Sequence, residues 1–134
     1  MAKHARGTFE VTLTREPPYH ASEGATLGRT TIKKQFQGGL VGTSEAQMLS
    51  AGTPVQGSAG YVALDLFSGT LDGRAGTFVL QHSGTMTRGK PELSISVVPD
   101  SGTSELTGLA GEMTIEIIDG KHLYAFDYTL DEPV

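Results

Sequence analysis

The chain predicts an all-β domain, an eight-stranded antiparallel up-and-down barrel. Three observations carry that expectation. Apolar and polar residues alternate with a period of two along eight separate segments. Turn pairs such as Gly38-Gly39, Asp72-Gly73, Arg88-Gly89 and Asp119-Gly120 punctuate those segments, supplying the positive φ that hairpins require. The 18 glycines in 134 residues are roughly twice the usual ~7% share, without a collagen period, which suits tight turns and bulges. No stretch reads as a long helix, so helix content below ~10% is expected against the usual third.

Taken in order, Gly7–Arg15 alternates Phe9, Val11 and Leu13 against Thr8, Glu10, Thr12 and Thr14. Pro17-Pro18 ends it, because neither residue can donate to a ladder. Leu27–Gln37 forms the second strand and turns at Gly38-Gly39. Leu40–Ser50 reads as the third, although Glu45–Leu49 could also make a helical turn. Ala59–Thr70 and Ala75–Met86 are the fourth and fifth, joined across Asp72-Gly73. Glu92–Val98 is the sixth, closed by Pro99-Asp100. Glu112–Ile118 and Leu123–Leu130 are the last two, joined at Asp119-Gly120. Consecutive hairpins wind a meander, and closing it removes the exposed edges, which favours a barrel over the competing two-sheet sandwich.

Period-2 parity then proposes which side chains point inward. The set includes Phe9, Val11, Leu13, Ile32, Phe36, Phe67, Leu93, Ile95 and Ile117. Its expected ligand-lining members are Met48, Tyr61, Phe78, Leu80, Tyr124 and Phe126. Three ionisable residues share the inward parity: Lys34, Asp65 and His82. Apolar walls with a few convergent polar groups are the composition of a small-molecule pocket. If the barrel is catalytic, those three are the candidates for acid/base or electrostatic roles, since an unpartnered buried charge costs several kcal/mol. The plainer reading makes Lys34 and Asp65 surface charges and His82 a hydrogen-bonded core residue. His122, at a strand start, is expected to be exposed. Val62, Leu64 and Leu66 form a second apolar face on the fourth strand. Either a second subunit covers them in a homo-oligomer, or the parity of that strand is inverted and Asp65 faces out.

Other classes are excluded by composition. A net charge of −5 and a pI near 5.2 argue against nucleic-acid or anionic-membrane partners. There is no cysteine and the four histidines are scattered, so neither disulfides nor a zinc spacing is available. No Gly-x-Ser-x-Gly elbow occurs, and Gly69–Gly76 lacks the Gly-Lys-Ser/Thr ending of a phosphate loop. No cofactor is expected. With no apolar signal region near Met1 and no run of ~18 apolar residues, a soluble cytoplasmic protein is the expectation. Residues 5–131 are expected to form one domain, with 1–4 and 132–134 fraying.

The run Ser101–Glu116 resembles the loop-to-strand signature of allene oxide cyclase and dirigent barrels. Gly102-Thr103, Leu106, Gly108 and Gly111 stand at the matching positions, and Ser104 replaces a second glycine. Over nearly the whole chain, stretches such as Lys34–Leu40, Gly69–Gly84, Val97–Thr103 and His122–Leu130 identify it as a member of the bacterial family filed as domain of unknown function 3224. That resemblance implies a barrel similar to allene oxide cyclase and no assigned biochemical function. Phe9-Glu10 resembles the pair that carries the cyclase's catalytic carboxylate, whereas local alternation turns Glu10 outward with the threonines. The cyclase's cysteine has no counterpart.

Two functional classes follow. One is a barrel that binds a small apolar or aromatic metabolite in its lumen. The other is a cofactor-free cyclase or isomerase that moulds a hydrophobic substrate and excludes water from it. A filled barrel acting only through oligomer surfaces is the third possibility.

Overall fold

In the computed structural model, residues 2–130 are described. They form β1 (Ala2–Arg15), β2 (His20–Ala21), β3 (Thr26–Gly38), β4 (Leu40–Gly52), β5 (Ala59–Leu71), β6 (Arg74–Thr87), β7 (Lys90–Val97), β8 (Ala110–Ile118) and β9 (Lys121–Thr129). One 3-10 turn, Ser104–Leu106, precedes β8. All neighbouring pairs are antiparallel in the order β1-β9-β8-β7-β6-β5-β4-β3, and β1 returns to pair with β3 from Gly7 opposite Gly38 to Arg15 opposite Thr30. The sheet is therefore a closed eight-stranded barrel. Two-residue β2 lies beside the start of β3.

Expected and observed strands differ mainly at their ends. β4 is strand throughout, because its backbone pairs with β3 on one side and β5 on the other, which leaves no helical turn at Glu45–Leu49. β1 begins at Ala2, since Ala2–His4 pair with Thr129–Asp127 of β9. The C-terminal boundary, 131–134, lies outside the described residues. The 3-10 turn and β2 were not foreseen.

The weak seam is between β7 and β8, which among the described residues form a ladder pair only at Ser96 opposite Glu112. The run Val98–Thr103 fills the gap by lying along β6. Val98 N–H donates to Val79 O at 2.9 Å and Thr103 N–H to Thr77 O at 2.9 Å. In return Thr77 N–H donates to Thr103 Oγ1 at 2.9 Å and Val79 N–H to Ser101 Oγ at 3.0 Å, so two hydroxyls replace missing strand carbonyls. This close approach needs Gly76, where a Cβ would run into the Thr103 carbonyl and the Leu106 side chain. Ser104 has φ +53°, so the position where the resembling pattern carries glycine is left-handed here. The segment then drops Leu106 and Leu109, both fully buried, into the barrel end.

That end is plugged. Leu40, Leu71, Leu106 and Leu109 close it beneath a belt of aromatic rings. Phe36 meets Phe67 edge-on at 5.5 Å, Phe67 meets Phe78 at 5.1 Å, and Phe78 stacks on Phe126 at 5.8 Å, contacts each worth ~1 kcal/mol beyond area burial. The opposite end, where β1, β4, β6 and β8 finish, stays open. Inward parity holds there but depth does not. Leu13, Leu93 and Ile117 point to the inner side yet stand at the rim, with Ile117 66% exposed.

On β5 the expected parity is correct. Asp65 is 0% exposed inside the barrel, while Val62, Leu64 and Leu66 face outward and Leu64 is 57% exposed in the single chain.

Candidate functional site

Each of the three inward ionisable residues sits two positions from a fully buried core residue on its strand. Lys34 precedes Phe36 on β3, Asp65 precedes Phe67 on β5, and His82 follows Leu80 on β6. Because alternate residues share a face, this stacks a polar layer directly on the aromatic belt. Strand direction puts all three on the open-end side of that belt. Alternation turns Lys34, Asp65 and His82 inward, and the register between β3, β4, β5 and β6 brings them to one level.

Lys34 Nζ donates to Asp65 Oδ2 at 2.9 Å, with both side chains buried. His82 Nε2 stands 3.3 Å from the same oxygen, off the line of a full hydrogen bond. The ammonium also lies 5.3 Å from the centroid of the Phe9 ring. Burial opposes the Asp65 charge, but His82, Lys34 and Ser44 outweigh it and hold the carboxyl down to about 2. Asp65 is therefore a fixed anion at neutral pH and too weak a base to remove a proton there. Asp65 Oδ1, Ser44 Oγ and His82 Nε2 are buried without a regular hydrogen-bond partner among the described residues.

Above this layer the barrel opens into a cup of about 230 Å³. Its walls are apolar: Phe9, Val11 and Leu13 from β1, Ile32 from β3, Ala46 and Met48 from β4, Ala63 from β5 and Ile115 from β8. Tyr61, Lys34, His82 and His122 supply the polar groups. Two expected lining residues, Met48 and Tyr61, are part of this wall. The other four, Phe78, Leu80, Tyr124 and Phe126, are not among the residues that line it. They lie in the buried core below.

Tyr124 has a separate task. Its hydroxyl donates to Gln37 O at 2.8 Å and accepts from Leu40 N–H at 2.8 Å, tying the β3–β4 turn to β9. Burial pushes its phenol pKa up, against the Leu40 hydrogen bond. Tyr128 similarly donates to Asp72 in the β5–β6 turn. Glu10 is exposed on the outer face, as alternation requires. His122, expected in solvent, is half-buried with its ring 5.1 Å from Phe9. Its parity with Tyr124 and Phe126 was the available signal. Among the described residues, no group of three or more His, Cys, Asp or Glu side chains could hold a metal ion. Among the described residues, no helix is long and apolar enough to cross a membrane.

Comparison with known proteins agrees with this architecture. A family model described as "Protein of unknown function (DUF3224)" matches residues 5–128. A crystal structure of a protein of unknown function from the same family, from Shewanella oneidensis MR-1, superposes with a TM-score of 0.92 at 46% identity. The match covers 98% of this chain and 100% of that one. No curated protein matches.

Proposed function

The chain belongs to the DUF3224 family, and from its geometry we propose that the open end of the barrel binds one small molecule with an apolar or aromatic body. The carrying observation is the buried Lys34–Asp65–His82 layer at the floor of a mostly apolar cup. Desolvating two charges and an imidazole opposes folding, and apolar residues at the same positions would extend the core instead. The cup is smaller than the ~300–1,000 Å³ typical of drug-sized ligands, so the ligand is correspondingly small. A cytoplasmic setting and a homo-oligomer that covers Val62, Leu64 and Leu66 complete the proposal, resting on the composition and on that exposed face.

A catalytic reading, a cofactor-free isomerase or cyclase, draws on the same cluster and on the resemblance to allene oxide cyclase. In it the base is His82, because Asp65 is held ionised, and Lys34 stabilises developing negative charge. The test common to both readings is ligand-observed NMR of a small aromatic fragment panel against the wild type and Met48→Trp. The bulky ring should fill the cup, abolishing binding while the far-ultraviolet spectrum stays that of a folded barrel. Equal binding by both proteins, or none by the wild type, would remove the proposal.

A further inference from the structure

We infer that the molecule the cup accepts is a small monocarboxylate or related oxyanion, whose charged oxygens meet Lys34 beside His82 and whose binding brings a proton onto His82. The inference rests on the small-molecule reading above and specifies its ligand class.

The lining presents donors. Its polar groups are the Lys34 ammonium, the Tyr61 phenol and the imidazoles of His82 and His122, and among the described lining residues there is no carboxylate. Lys34 carries three donor hydrogens, one of which goes to Asp65. Burial pushes the Tyr61 pKa up, so its hydroxyl keeps its proton. The matching acceptor, Asp65, is sealed beneath them. A cavity whose polar groups are all potential donors is complementary to oxygen acceptors.

Geometry and charge narrow this further. Lys34 Nζ and His82 Nε2 converge on one oxygen at 2.9 and 3.3 Å, so they are separated by no more than those two distances end to end. A carboxylate seated on the Lys34 ammonium therefore lies close to the His82 ring, whose Nε2 faces Asp65. Lys34 and Asp65 already neutralise each other, so a buried ligand anion leaves one uncompensated charge, which is costly in this environment. His82 is positioned to supply the balance, with its Nε2 buried and irregularly partnered. The titratable groups in this site are Asp65 and Tyr61 from β5, Lys34 from β3 and His122 from β9. The other neighbours from β1, β7 and β8, including Phe9, Ile95 and Ile115, are apolar. The proton comes from solvent, one per ligand. A volume of 230 Å³ corresponds to about seven or eight waters, room for one ring with a short substituent.

Calorimetric titration of the wild type with benzoate and its neutral isostere benzamide, each in two buffers of different ionisation enthalpy, tests this. Benzoate should bind at least tenfold more tightly than benzamide at pH 6, with net proton uptake from the buffer on binding at neutral pH. In that range its apparent affinity should fall up to tenfold per pH unit. The His82 ring resonances should report a pKa raised by at least about one unit at saturating benzoate. His82→Gln, of similar size and neutral, should fold, bind benzoate at least tenfold more weakly at pH 6 and lose the pH dependence. Benzamide binding as tightly as benzoate, or benzoate binding without proton uptake, would overturn the oxyanion inference and leave the cup as a site for neutral ligands. Binding of neither probe would also overturn it, while the fragment panel with Met48→Trp decides separately whether the cup binds anything.

Discussion

The two ends of this barrel are built from the same alternating strands and finished in opposite ways. At the plugged end, Leu40, Leu71, Leu106 and Leu109 close over stacked phenylalanines, and the tyrosine hydroxyls bind turn backbone or a turn carboxylate. At the open end, inward positions carry a buried ion pair, an imidazole and a cup. The first is organised for stability, with its polar atoms satisfied. The second retains Asp65 Oδ1, Ser44 Oγ and His82 Nε2 without regular partners. Spare hydrogen-bonding capacity is thus concentrated at the open end, where the ligand site is proposed.

The largest effect should come from the plug. Leu106→Ala removes a fully buried side chain and is expected to destabilise by about 2–5 kcal/mol in urea unfolding. A change below 1 kcal/mol would mean that the Ser101–Leu109 segment is not part of the core. Of comparable size is Asp65→Ala, expected to lose about 3–5 kcal/mol because it leaves the Lys34 ammonium buried and unpaired.

The same pair predicts an acid limb. The folded carboxyl titrates at about 2, below its ordinary 3.8, so its contribution is complete above pH 4 and disappears as pH falls through about 2. That contribution is roughly 2 kcal/mol. Melting temperatures measured between pH 5 and 2 should fall more steeply for the wild type than for a Lys34→Met/Asp65→Leu variant. Parallel curves would refute the depressed pKa. Smaller again is Tyr124→Phe, which deletes the donor to Gln37 and the acceptor for Leu40 N–H and should cost about 1–2 kcal/mol without touching ligand binding.

The outer β5 face carries the smallest folding effect. Leu64→Ser should change the stability of an isolated chain by less than about 0.5 kcal/mol, since the side chain is already half in water. Sedimentation of the wild type at micromolar concentration should show a species heavier than 14.1 kDa that the substitution dissociates. A 14.1 kDa monomer removes the expected oligomer.

Alternation made the faces of most strands legible, but on β5 both faces are apolar, so the side taken by Asp65 stayed open until its burial showed it inward. Alternation could not report height along the barrel. Phe78, Phe126 and Met48 have the same parity, but the first two lie in the core and the third in the cup wall. Height depends on register between strands, which hairpin turns set and a single strand's pattern does not contain. The plug was illegible for a related reason. Leu106 and Leu109 lie on a non-repeating segment with no period, so the resemblance that marked the loop, Leu106 included, carried no sign that it is buried. His122 was misplaced because its position after a Gly-Lys turn outweighed its parity with Tyr124.

The most direct test of the contrast between the two ends replaces the charged layer with core chemistry. Melting temperature and benzoate affinity would be measured together on Lys34→Met/Asp65→Leu/His82→Leu. Residues retained for binding rather than stability predict a variant at least as stable as the wild type at pH 7, with benzoate binding lost. A variant that melts well below the wild type yet keeps its benzoate affinity would make the cluster structural and contradict the account.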